Sequence, residues 1–147
     1  AYEAYQTLHK LFTETDFDAE ELTVVWQSIN VENECHYCVP AHTGIAKMMK
    51  VSDDISDALR NETPLPTDKL EALRTFTVQM VRERGNLSEE QMKAFFDAGY
   101  GHRAVLDVIL GLAQKTMSNY VNHVAETQVD EVFRPLAWQR SDTPLKV

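Results

Sequence analysis

The chain has 147 residues, 44% hydrophobic and 25% charged, with 23 acidic against 14 basic side chains and a formal net charge of −9. That length favours one domain, residues 1–147, with enough interior to fold without a disulfide framework. The acidic balance opposes nucleic-acid binding, no apolar run approaches the roughly 18–20 residues that cross a bilayer, and the opening Ala1-Tyr2-Glu3-Ala4-Tyr5 lacks the form of a secretory signal. The expectations are therefore no nucleic-acid partner, no membrane and a cytoplasmic location.

Tyr5, Leu8, Leu11 and Phe12 recur at helical spacing and predict a first helix from Tyr2 to Phe12. Asp18 with Glu21 three residues later has the form of a capping box, and the apolar run Leu22, Val24, Val25, Trp26 and Ile29 then predicts a buried helix from Ala19 to about Asn30. A short polar connection leads into Asn33-Glu34-Cys35-His36-Tyr37-Cys38-Val39-Pro40-Ala41-His42, which holds both cysteines and two of the five histidines. The helix it opens continues to about Lys50. Pro40 restricts where that helix begins, which puts Cys35 close to a helix N-terminus.

Ser52 predicts the cap of a short helix from Asp53 to about Arg60, followed by a loop through Pro64 and Pro66. Thr67 caps a longer helix carrying Leu70, Leu73, Phe76, Met80 and Val81 and ending at Gly85-Asn86. Ser88 and Gln91 form a second capping box, opening a helix to Ala98. Beyond the Gly99-Tyr100-Gly101 turn comes the last long helix, from Arg103 to about Ala125. One short turn is expected between Asp130 and Arg134, and the final residues are expected to be loose. No alternating strand pattern appears, so the reading is all-α with about six to eight helices. Residues 22–43 and 106–127 also echo one another, each an apolar helical run followed by a polar, aromatic-containing segment, which suggests an internally repeated helical hairpin.

On a helix, Cys35, Cys38 and His42 fall at i, i+3 and i+7, on one face and within reach of each other. Two thiols and an imidazole so placed suit a dithiol that cycles through a disulfide with a proton-transfer group beside it. A thioredoxin-like unit would need strands, which the pattern does not supply. A zinc site would draw on Cys35, Cys38, His36, His42 and a distant His102 or His123, without a second cysteine pair. An inert pair of buried small side chains is the remaining structural reading.

The stretch Glu34 to His42 resembles the Cys-x-x-Cys-x-x-x-His signature of the alkylhydroperoxidase D-like, or carboxymuconolactone decarboxylase, superfamily. The helix beginning at Glu21 and the segment Ser118-Asn119-Tyr120-Val121-Asn122-His123, with Asp130 and Phe133 beyond it, extend the resemblance over most of the chain. It implies an AhpD-like helical bundle, assembly into trimers or hexamers, and a cofactor-free, metal-free thiol peroxidase re-reduced by a lipoyl or other dithiol donor. Carried onto this sequence, Cys38 is the peroxidatic thiol, Cys35 the resolving thiol, His42 the relay group and Glu21 its carboxylate partner, with Glu34, Glu20 or Glu32 as substitutes. The alternatives are a decarboxylase-type lyase and a non-enzymatic redox or zinc-binding regulator.

Overall fold

In the computed structural model, which describes residues 1–147, seven α-helices follow one another: α1 (Tyr2–Thr13), α2 (Ala19–Glu32), α3 (Cys38–Met48), α4 (Asp53–Asn61), α5 (Asp68–Arg82), α6 (Glu89–Asp97) and α7 (His102–Val124). A 3₁₀ helix over Glu131–Leu136 completes the chain, and there is no strand. The helix starts are where the side-chain acceptors put them. Asp18 and Ser88 each accept the backbone N–H three residues on while Glu21 and Gln91 return the bond, closing both capping boxes. Ser52 and Thr67 cap α4 and α5 in the same manner with single bonds.

Helix α2 is the axis of the bundle, packed by α3, α4, α5 and α7. Its residues from Leu22 to Val31 are all buried, so it has no solvent stripe. Polar side chains inside that stretch are joined to one another. Gln27 donates to the Val39 carbonyl (3.0 Å) and to Thr43 Oγ1 (3.2 Å) on α3, and Asn30 donates to Gln27 Oε1 (3.0 Å). Asn119 of α7 donates to Asn30 Oδ1 (2.9 Å) and accepts from Asn33 (3.0 Å). One amide chain therefore ties three helices together at the end of α2, where bonds shielded from water must be satisfied.

Helix α1 lies along α7. Contact is closest at Gly111, where an added Cβ would sit 2.7 Å from Phe12 Cε2, so only glycine fits under that ring. At the other side of α2, Phe76 of α5 stacks on Phe95 of α6 with centroids 3.8 Å apart, and Phe95 stacks in turn on Tyr100 at 4.7 Å.

Two expectations need correction. The motif helix starts at Cys38 rather than at Cys35, because α2 runs on to Glu32 and closes with its own cap. The Glu34 N–H bonds the Val31 carbonyl and the Cys35 N–H bonds the Asn30 carbonyl, a Schellman closure that holds Glu34 at a φ of 51°. Glycine is the ordinary residue there, so Glu34→Gly should stabilise the protein by about 1 kcal/mol. A rise in urea midpoint at unchanged slope is the expected readout, and a fall would show that the glutamate side chain itself holds the turn.

The tail is not loose. Trp138 is buried with Val31 and Val39 and donates from Nε1 to the Arg60 carbonyl (2.8 Å). Arg60 donates back to the Leu136 and Ala137 carbonyls. Arg140 pairs with Glu32 (2.9 Å) and Glu62 (3.0 Å), and the Leu145 N–H also reaches Glu62. The 3₁₀ helix before it is seated on α3, where the ring of Phe133 occupies the space a Cβ on Gly44 would need.

Candidate active site

Cys35 and Cys38 are joined as a disulfide with Cα atoms 5.2 Å apart. Cys35 lies in the connection after α2, fully buried, and its Sγ accepts the backbone N–H of Cys38 (3.2 Å). Cys38 is the first residue of α3, so it, and not Cys35, occupies the helix N-terminus. The helix dipole favours negative charge at that position, and so favours the thiolate of a reduced cysteine there. Pro40 is the third residue of α3, where its missing N–H costs no helical bond, and no kink is needed. The sulfur of Cys38 also accepts from Asn122 Nδ2 of α7 (3.4 Å).

His42 follows Cys38 by four residues on the same face of α3 and is buried. Its ring packs against Trp26 with centroids 5.0 Å apart, and its Nε2 lies 2.9 Å from Nζ of Lys115. Its Nδ1 is buried without a partner. Burial first, and the Lys115 charge next, hold the imidazole well below its usual pKa. Lys115 itself is only 1% exposed, and burial lowers its ammonium to about 7. The far side of the pair is closed by α1: His9 stacks on Trp26 at 5.7 Å and lies 2.9 Å from Gln114 Nε2, while Trp26 donates to Gln114 Oε1 (2.8 Å).

Two surface clefts flank the disulfide. One, of about 400 Å³, is lined by Glu34, Cys35, His36, Asn122, His123 and neighbouring polar residues. The other, of about 520 Å³, is mostly apolar, with Tyr2, Tyr5, Tyr37, Met117, Val121 and again Asn122 in its walls. Tyr37 separates them and is fixed by donation to Asp130 (2.8 Å), a bond that raises the phenol pKa, with burial adding to it.

No family model and no curated protein matches the sequence. Solved structures do. An uncharacterized peroxidase-related protein from Silicibacter sp. TM1040 superposes with a TM-score of 0.78 at 16% identity, over 89% of this chain and 71% of that one. An alkylhydroperoxidase AhpD core protein, also peroxidase-related and uncharacterized, from Ralstonia eutropha JMP134 gives 0.80 at 18% identity, over 90% and 72%. The chain has the AhpD-like fold.

Within that AhpD-like frame the cysteines and His42 stand together, and Glu21 does not join them. Its carboxylate is bonded to the Asp18 N–H in the first turn of α2, and neither ring nitrogen of His42 reaches it: Nε2 meets Lys115 and Nδ1 has no partner. Glu21 is thus not bonded to His42 in this structure. Glu32 is bound to Arg82 and Arg140, Glu20 is exposed one position before Glu21, and Glu34 is exposed on the rim of the polar cleft. The group at His42 is Lys115.

Sequence reasoning missed Lys115, Asn122 and His9. A signal for the first existed: Lys115 falls on the same α7 stripe as Val108, Gly111 and Asn119, at spacings of three and four, and all are buried. The two segments of the sequence echo also meet here, because Asn119 and Asn122, inside the continuous helix α7, reach Asn30 and Cys38 respectively. His123, a distant candidate zinc ligand in the sequence, is exposed at the polar cleft.

Proposed function

We propose that the protein is a thiol-dependent peroxidase that reduces hydroperoxides by cycling Cys35 and Cys38 between dithiol and disulfide. The observation that carries this reading is the Cys35–Cys38 bridge at the start of α3, with Cys38 Sγ held by Asn122 and Cys35 in the wall of the polar cleft. In the dithiol form the Cys38 thiolate attacks one peroxide oxygen, the O–O bond breaks, and the alcohol leaves once its alkoxide is protonated. The Cys38 sulfenic acid then loses water as Cys35 sulfur attacks it, forming the disulfide. An external dithiol restores the pair by exchange. Cys35 is the sulfur that borders the polar cleft, and attack there releases Cys38, the better-stabilised thiolate, as the leaving group.

The peroxidase-related descriptions of the two structural neighbours support the same chemistry. The zinc alternative would instead hold both thiols on the metal and protect them from oxidant. A lyase would require no change in thiol state. Titration separates these readings: reduced protein treated with hydrogen peroxide or an organic hydroperoxide should lose two thiols per chain and yield a Cys35–Cys38 cross-link by peptide mapping. Thiols that survive equimolar peroxide, or that appear only after chelation, would remove the peroxidase reading.

No helix is long and apolar enough to cross a membrane. Helix α7 nevertheless exposes Leu106, Ile109, Tyr120 and Val124, which share a stripe with Ala113 and Met117 at alternating spacings of three and four. Such a seam is matched by another copy of itself, and we assign it to homo-oligomer contacts. Val124→Lys with Leu106→Lys should shift the scattering mass down to one chain; an unchanged mass would place the contact elsewhere.

A further inference from the structure

Lys115 is the one lysine inside this protein, and no carboxylate accompanies it. Its Nζ meets His42 Nε2 at 2.9 Å and takes part in no ion pair with an acid. The titratable groups facing it are His42 from α3 and His9 from α1, both held toward the neutral form by burial and by Lys115 itself. The buried α2 residues beside the site, Trp26 on the His42 ring and Gln27 and Asn30 beyond it, carry no charge. The basic side chains of α5 are bound elsewhere, Arg74 to Glu71 and the Ala58 carbonyl, Arg82 to Glu32. Burying an amine against an imidazole, with no counter-charge, is costly unless the proton between them has a use.

The pair has two arrangements. An ammonium has only donors, so with Lys115 protonated the Nε2 of neutral His42 must accept, and the ring proton sits on Nδ1. A neutral amine has a lone pair, so it can accept from Nε2–H, and Nδ1 is then bare and basic. That Nδ1 is the buried atom without a partner, on the helix face it shares with Cys38 one turn earlier.

We propose that Lys115 is the positioning and proton-holding partner of His42: as a neutral amine it takes the Nε2 proton while Nδ1 takes the proton of the Cys38 thiol, and it returns that proton through the ring to the alkoxide released when the peroxide O–O bond breaks. The proton count balances. One proton leaves Sγ and one arrives on Nζ, the imidazole is neutral before and after, and the site gains a thiolate with a nearby ammonium. A lysine thus stands where the resemblance led one to expect a carboxylate. The inference rests on the peroxidase reading for the fate of the proton, while the coupling of Lys115 to Cys38 is measurable without peroxide.

The test uses Cys35→Ala protein, in which Cys38 is the only thiol, and follows thiolate absorbance near 240 nm from pH 5 to 10. Cys38 should ionise near neutral pH, against about 8.5 for an ordinary cysteine. Adding Lys115→Met should raise its midpoint by at least one unit, leaving roughly fivefold less thiolate at pH 7, or lower still. A folded double variant with an unshifted midpoint overturns the inference. A second measurement needs no change at Lys115: in the disulfide form, where no thiol supplies a proton, the ¹⁵N shifts of the His42 ring should pass from a protonated to a bare Nδ1 across neutral pH, and a single tautomer from pH 5 to 9 overturns it equally. If both signatures are found and the reduced wild-type protein consumes no peroxide, the peroxidase reading falls and the relay stands.

Discussion

Replacing Cys38 with serine is expected to slow peroxide consumption by the reduced protein by roughly 10³-fold or more, the scale on which enzymes lose a nucleophile. The two cysteines are not equivalent, and the difference is in the backbone. Cys38 is the first residue of α3 and its sulfur accepts from Asn122, so charge on that sulfur meets a helix N-terminus and an amide donor. Cys35 is outside the helix, and its sulfur accepts the Cys38 N–H. Cys35→Ser keeps an acceptor at that place and should leave the first turnover close to normal. It should then stall as a Cys38 sulfenic acid, detected as a dimedone adduct by mass spectrometry. Adduct formation on Cys35 in the Cys38→Ser variant would reverse the assignment.

A large stability loss is expected for Asn119→Leu, about 2–4 kcal/mol, or about 5–10 °C in Tm for a chain of this size. Asn119 is 0% exposed and serves two helices, donating to Asn30 and accepting from Asn33. Leucine has the same number and branching of heavy atoms, so the site stays filled while Asn30 Oδ1 and Asn33 Nδ2 lose their partners. Asn30 in turn holds Gln27, which holds the Val39 carbonyl in the first turn of α3. The double variant Asn30→Leu/Asn119→Leu should cost less than the sum of its parts, because it removes both ends of one bond. Full additivity in chemical denaturation would show that the amides act independently.

How much of this was legible differs by element. Helix starts were readable because Asp18, Ser52, Thr67 and Ser88 signal locally, within three residues of the bonds they accept. The start of α3 was not, since it depends on the α2 closure at Glu34, where a glutamate occupies a position that glycine would have marked. The tail was misread for a related reason: Trp138 and Arg140 find their partners at Arg60, Glu62 and Glu32, separations at which sequence patterning carries no information. The thiols and His42 were legible as a motif. Lys115 was not, because a lysine in a helix is ordinarily solvated, and only its register against Val108, Gly111 and Asn119 betrays burial.

The tail strap also orders assembly in time. Its bonds join Leu136 to Arg60 across 76 positions and Arg140 to Glu32 across 108, and its tryptophan rests beside His36 with ring centroids 5.7 Å apart. Long-range closures of this kind wait for the elements they bridge, and a C-terminal segment is the last to emerge during synthesis. The junction carrying the two cysteines is therefore uncovered on that side through translation of more than a hundred residues, and the nascent chain can meet oxidants or reductants before Trp138 arrives. That side of the junction closes only when Trp138 packs, while the side facing the polar cleft stays open.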